Sequence, residues 1–196
     1  MSSPATGRLL SIDMDQKKVM TNNVNHVLIG ETGVGKSSIL GNFPRKCLVN
    51  QTIGVEYGFR STIVRDQKVS IHVWDITGDE RFRPIIYTYI PRVAVIIVVY
   101  DITDRRTFDA VQQFWLPYAH QKVVIVGNKT GQEINRQVDT EEGHELASRW
   151  GTTFHEVSTA SLDESIEKLF QMHTQEIVHQ DTSTKIEKRR YCCWYV

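Results

Sequence analysis

The chain has 196 residues with 23 basic and 23 acidic side chains, so its formal net charge is zero. That length suits one domain of ordinary size with tails. A balanced charge excludes a global basic field that would draw in nucleic acid. No apolar run approaches membrane-spanning length, and the opening MSSPATGRLL lacks the apolar stretch of a signal peptide. Cysteines occur only at Cys47, Cys192 and Cys193, which is no disulfide framework, so the sequence reads as a reducing, cytosolic chain. Seven histidines are scattered without metal-ligand spacing.

Residues 1–24 are polar and without sustained period, as expected of a mobile extension. VNHVLIG (24–30) is a short apolar run ending in glycine. RSTIVR (60–65) and VSIHVWD (69–75) alternate, and the turn-like DQK (66–68) joins them into a predicted hairpin. VAVIIVVYD (93–101) and KVVIVGN (122–128) are continuous β-branched runs, the pattern of strands buried on both faces. TTFHEVS (152–158) is a weaker sixth strand.

Helical patterns fill the intervals. Asp139 and Glu142 form a capping box ahead of Gly143, Leu146, Ala147 and Trp150 on one face. Ser161 and Glu164 form a second, followed by Leu162, Ile166, Leu169, Phe170 and Ile177 at helical spacing. Alternating strands and helices predict an α/β fold with a mostly parallel sheet and helices on both sides. DTSTKIEKRRYCCWYV at the end breaks the pattern and reads as a tail.

GETGVGKS fits G-x-x-x-x-G-K-[ST] at Gly30, Gly35, Lys36 and Ser37. The spacing has a physical reason. Glycines let the backbone wrap a phosphate chain with its N–H groups inward, and the following helix turns its positive end to the same charge. Lys36 reaches the outer phosphates and the Ser37 hydroxyl ligates Mg²⁺. The motif follows a predicted strand and precedes a helix, the context it requires.

With these residues the chain resembles the Ras superfamily of small GTPases, and within it the Rab family, over about residues 24–180. The resemblance implies a P-loop G domain: a six-stranded, mostly parallel sheet with one antiparallel strand and helices on both faces. TIGVEY (52–57) looks like the first switch, where Thr52 would meet Mg²⁺ and the γ-phosphate. WDITGDERF (74–82) looks like the second, usually W-D-T-A-G-Q-E-R-F. By that match Asp75 holds magnesium through water and the Gly78 N–H meets the γ-phosphate. YDITDRRTF (100–108) also resembles the family after its fourth strand. The implied contacts to GTP or GDP are Gly30, Glu31, Thr32, Gly33, Val34, Gly35, Lys36, Ser37 and Ser38, then Thr52 and Gly78. Asn128 and Lys129, with Ser158, Thr159 and Ala160, complete them on the base side. Lys36, Thr52, Gly78 and Asp79 are the expected catalytic set, and Ser37, Thr52 and Asp75 the expected metal set. Tyr57, Trp74 and Tyr89 match the aromatic trio that faces effectors. An exchange factor and a GTPase-activating protein are implied partners.

The chain departs from the family at three places. Asp79 stands where the catalytic glutamine does; a carboxylate only accepts, is one methylene shorter, and adds charge beside a polyanion. Ile76 and Thr77 replace the Thr-Ala before it, and Thr77 adds bulk near the γ-phosphate. Slow hydrolysis is the expectation. In GNKTG (127–131), Gly131 occupies the place of the aspartate that accepts two N–H bonds from guanine, and Thr159-Ala160 replaces an Ala-Lys. Glu133, two residues on, could stand in by a loop shift. The stretch from Lys36 to Thr52 is a few residues short, with Phe43 the remaining aromatic to reach the base, and the helix between Tyr100 and Asn128 is clipped.

Lys185, Lys188, Arg189 and Arg190 precede Cys192 and Cys193, a pairing that resembles the doubly prenylated Rab ending. Lipid plus a basic patch makes a stable anchor on anionic membranes. The organisation expected is therefore an extension at 1–24, a GTPase domain at 25–180, and a flexible lipid-anchored tail at 181–196. The function expected is a membrane-anchored switch in vesicle trafficking, on the cytoplasmic face of endomembranes with a cytosolic pool. A non-switching scaffold on a GTPase fold remains the alternative. A metabolic P-loop kinase would need a lid-like arginine cluster and an acceptor pocket, and neither is evident.

Overall fold

The structure, a computed structural model, describes residues 23–42, 54–119, 121–159 and 164–192. Six strands form one sheet in the order β2-β3-β1-β4-β5-β6. They are β1 (Asn23–Ile29), β2 (Val55–Val64), β3 (Gln67–Ile76), β4 (Val95–Asp101), β5 (Lys122–Asn128) and β6 (Thr153–Val157). β2 runs antiparallel to β3, and every other neighbouring pair is parallel. All seven residues of β4 are buried, as its unbroken β-branched sequence requires of a central strand covered on both faces.

Two apolar layers flank the sheet. On one face Val27, Ile29, Ile96 and Val98 pack against α2 (Arg83–Tyr89), α3 (Arg105–Ala110) and α4 (Thr140–Arg149) through Ile86, Phe108 and Leu146. On the other, Leu28, Val73, Ile97 and Val126 meet α1 (Lys36–Gly41) and α5 (Ser165–Cys192) through Ile39, Leu40, Leu169 and Phe170. Each such side chain, once buried, contributes about 1.5–3 kcal/mol. The predicted α/β fold with one antiparallel strand is the observed one.

The details differ from the sequence reading in four places. The hairpin turns at Arg65 and Asp66, both left-handed (φ 51° and 60°), and not at residues 66–68. Two consecutive positive φ angles make a tight turn whose twist suits the strands. β2 starts at Val55, five residues earlier than its alternation suggested; exposed Glu56 and glycine at 58 concealed it. Trp150 lies on the α4 stripe, but the helix ends at Arg149 and the indole is 47% exposed. The Asp139–Glu142 capping box is present, and Ser161 and Leu162 of the second lie outside the described residues. Finally, the backbone of α5 continues to Cys192, through residues assigned to an irregular tail. No glycine or proline interrupts residues 165–192, so nothing in the backbone stops the helix.

The clipped helix is visible after β4. Asp104 caps α3 by accepting from the Arg106 N–H at 3.0 Å. After six residues the helix widens into a π-turn over Val111–Trp115 and closes in a 3-10 turn that contains Pro117.

Candidate nucleotide site

The loop between β1 and α1 lies at the carboxyl ends of the parallel strands, where open α/β sheets bind ligands. Gly30, Gly33 and Gly35 all have positive φ (140°, 83° and 96°). A side chain at Gly30 would put its Cβ 2.2 Å from the Val99 carbonyl oxygen, and at Gly35 2.2 Å from Asn128 Nδ2. These positions accept glycine alone on both counts. Lys36 is 6% exposed; its Nζ donates to the carbonyls of Gly30 (2.8 Å) and Glu31 (2.7 Å), which pins the loop from inside. Burial pulls the Lys36 ammonium below its usual range, with Asp75 and Glu31 opposing that pull.

An open cleft of about 560 Å³ lies over this loop, bounded by Lys36, Ser37, Asp75, Thr77 and Gly78. Inside it the Ser37 hydroxyl donates to Asp75 Oδ2 at 2.5 Å. The structure thus brings together two groups of the expected metal set from different elements, 38 residues apart. Thr52, the third, lies outside the described residues, as do Phe43 and Ala160. Among the described residues no three His, Cys, Asp or Glu side chains cluster as a metal site. One carboxylate and hydroxyl oxygens are nevertheless a donor set that fits Mg²⁺, which takes few protein ligands and keeps its waters. Gly78 sits hard against the loop: a Cβ there would come within 2.4 Å of the Gly30–Thr32 backbone.

Gly78 is among the residues that bound the cleft, but its neighbour Asp79 is not. It caps the 3-10 turn Glu80–Phe82 by accepting from the Arg81 N–H at 3.0 Å, and both its oxygens bind the Arg81 guanidinium, the shortest contact 2.6 Å. Hydrogen bonds from Arg81 pull its carboxyl down to about 2. The negative charge expected beside the phosphates is therefore matched locally by a cation. Thr77 accepts from the Asp79 N–H at 3.4 Å and donates its own N–H to Gly54 at 2.9 Å.

On the base side Asn128 is fully buried and donates to the Val34 carbonyl at 2.9 Å, tying the end of β5 to the phosphate loop. Lys129, in the left-handed region (φ 71°), pairs with Asp101 at 2.5 Å. Ser158 is buried at the end of β6, and the Thr159 carbonyl receives Asn42 Nδ2 at 3.4 Å. Gly131 lies in a 3-10 turn (Thr130–Asn135) that brings no carboxylate of its own to that position. Glu133, the stand-in considered from the sequence, is held by Arg136 through both oxygens at 2.6 and 2.7 Å.

Tyr57 and Trp74, and Trp74 and Tyr89, lie next to each other, with ring centroids 5.3 Å and 6.4 Å apart. The row is longer than the trio. His72 stacks on Trp74 at 6.0 Å and on Phe59 at 6.2 Å, and its Nδ1 meets the Tyr57 hydroxyl at 2.5 Å. Alternation along β2 and β3 could have revealed Phe59 and His72, since both share the face of Tyr57 and Trp74. Asp101, the partner of Lys129, was legible only in YDITD, and Arg81 only as part of the second switch.

A family model described as the Ras family matches residues 25–179. The Ras-related protein Rab2BV of Beta vulgaris is 41% identical, covering 82% of this chain and 82% of its own. Rab11C of Lotus japonicus is also 41% identical over 78% and 74% of the two chains. SEC4 of Candida albicans is 34% identical over 74% and 72%. The chain belongs to the Ras family. It is a Rab-like small GTPase that binds GTP and GDP with Mg²⁺, hydrolyses GTP to GDP, and serves vesicle trafficking; the scaffold alternative is not favoured.

Proposed function

We propose that this GTPase is a slow, magnesium-dependent switch anchored to membranes by its C-terminus, within the domain limits 25–180. The observation that carries the reading is the Ser37–Asp75 contact, which joins the phosphate loop to the start of the second switch inside the cleft. Bound there, Mg²⁺ supplies positive charge to the phosphate oxygens. Lys36 would neutralise the outer phosphates, Ser37 and Thr52 would hold the metal with Asp75 acting through water, and the Gly78 N–H would donate to the terminal phosphate. Loss of that phosphate removes partners from Thr52 and Gly78, and so biases both switch segments. Asp79 accepts hydrogen bonds only and is engaged by Arg81, so it orients attacking water poorly; this supports slow hydrolysis. Chelating magnesium should speed nucleotide release many-fold. Equal release rates with and without chelator would remove the reading.

The base contacts are assigned to Asn128, Lys129 and the 158–160 loop, with guanine held less tightly for want of a carboxylate at Gly131. Tyr57, Trp74 and Tyr89 form the effector face. Lipid on Cys192 and Cys193 places the chain on the cytoplasmic side of endomembranes, and no helix among the described residues is long and apolar enough to cross one. Changing both cysteines to serine should shift the protein from the membrane to the soluble fraction. Unchanged fractionation would reject the lipid anchor.

A further inference from the structure

Glu31 is the second residue of the phosphate loop, and three parts of the molecule converge on it. Its backbone packs against Gly78, so close that a Cβ at that glycine would fall 2.4 Å from the Glu31 carbonyl carbon. Its carboxylate accepts from the indole Nε1–H of Trp115 at 3.2 Å, across 84 residues. The same oxygen lies 3.5 Å from Nη2 of Arg83, the first residue of α2. Arg83 in turn lies over Phe114, its guanidinium carbon 3.8 Å from the ring centroid, and pairs with Glu80 at 3.1 Å. The Arg83 and Glu31 side chains are 23% and 28% exposed, so water screens the pair only in part.

Residues 78–83 therefore touch one loop residue at both ends: Gly78 abuts the Glu31 backbone, and Arg83 pairs with its carboxylate. Phe114 and Trp115 reach Arg83 and Glu31 from the π-turn that follows α3, where the widened helix carries the two rings. Neither Arg83 nor Trp115 belongs to the nucleotide contacts described above.

We propose that Glu31, Arg83 and Trp115 form a latch that positions the second switch against the phosphate loop, with Arg83 and Trp115 acting as positioning residues through Glu31. The latch confines motion to the short segment 79–82 and holds the start of α2 in place. It rests on the reading of the cleft as the nucleotide site. Its chemistry is distinct from that of residue 79: the latch governs where the segment sits, and residue 79 what the segment does to water.

The test is amide hydrogen exchange on the full chain, with and without magnesium-GDP, for Arg83→Gln, Trp115→Phe and the double variant. Exchange of residues 79–89 should rise roughly tenfold in each single variant, while β4 and β5 keep their protection. The double variant should gain no more than the larger single one, because both remove restraint from the same carboxylate. Arg83→Lys, which keeps the charge but loses the planar guanidinium over Phe114, should fall between. Unchanged exchange at 79–89 in the single variants, or effects that multiply in the double, would overturn the latch. If Arg83→Gln loosens the whole sheet, Arg83→Lys with Trp115→Phe decides by the same criteria. Failure of the wild-type chain to bind magnesium-GDP would instead overturn the site reading, whatever the exchange data show.

Discussion

Arg81 holds both carboxylate oxygens of Asp79, two residues before it, and the same aspartate caps the turn that carries the arginine. The residue in place of the family's glutamine is thus a local structural element. Its carboxylate is engaged by its neighbour through an exposed pair.

Asp79→Gln breaks this clamp and puts an amide that both donates and accepts beside the cleft. Single-turnover hydrolysis should rise about tenfold while nucleotide affinity barely changes, since an oriented water matters only in the transition state. Thr77 still crowds the site, which keeps the gain small. An unchanged rate would show that residue 79 is not what limits hydrolysis.

Gly131→Asp acts on a separate quantity. Glu133 is occupied by Arg136, so a new carboxylate at 131 meets no competing acid already serving the base. Two recovered N–H bonds correspond to roughly 2–4 kcal/mol, or about 30- to 1000-fold tighter binding. GTP and GDP should gain equally and the cleavage rate should hold. Titration with both nucleotides checks this, and no change in affinity would refute the assignment of position 131.

Acid should weaken the fold through its histidines. Burial lowers the proton affinity of His26, His72, His155 and His173, for His26 from 6.5 to about 3. A group whose folded-state pKa is depressed binds more protons when unfolded. Its stabilisation is complete above about pH 6.5 and is lost as pH falls toward the folded value. For His26 alone the slope approaches 1.4 kcal/mol per pH unit below that point. Urea midpoints at pH 7.5 and 5.5 should differ, with the lower at pH 5.5; equal midpoints would contradict the assignment.

What the sequence disclosed and what it withheld divide along physical lines. The phosphate loop was legible because each glycine answers a local demand of backbone angle or close approach. β4 was legible because burial on both faces leaves no polar interruption. The hairpin turn was misread because Arg-Asp can adopt left-handed angles without the glycine that usually announces them. The Asp79–Arg81 clamp depends on a local turn geometry that composition does not fix. Glu31 with Trp115 depends on the topology that folds α3 over the loop, and no pattern within either segment points to the other.

Val178 is the last buried residue among the described side chains of α5, and the helix backbone runs on to Cys192. As a helix, residues 179–192 extend ~21 Å at 1.5 Å per residue. Fully extended, the same residues reach up to ~46–50 Å. An isolated helix of this length is marginal in water. With the lipid proposed at Cys192 and Cys193, the segment would act as a retractable tether. Unwinding it would more than double the distance at which the GTPase domain works from that proposed point of attachment.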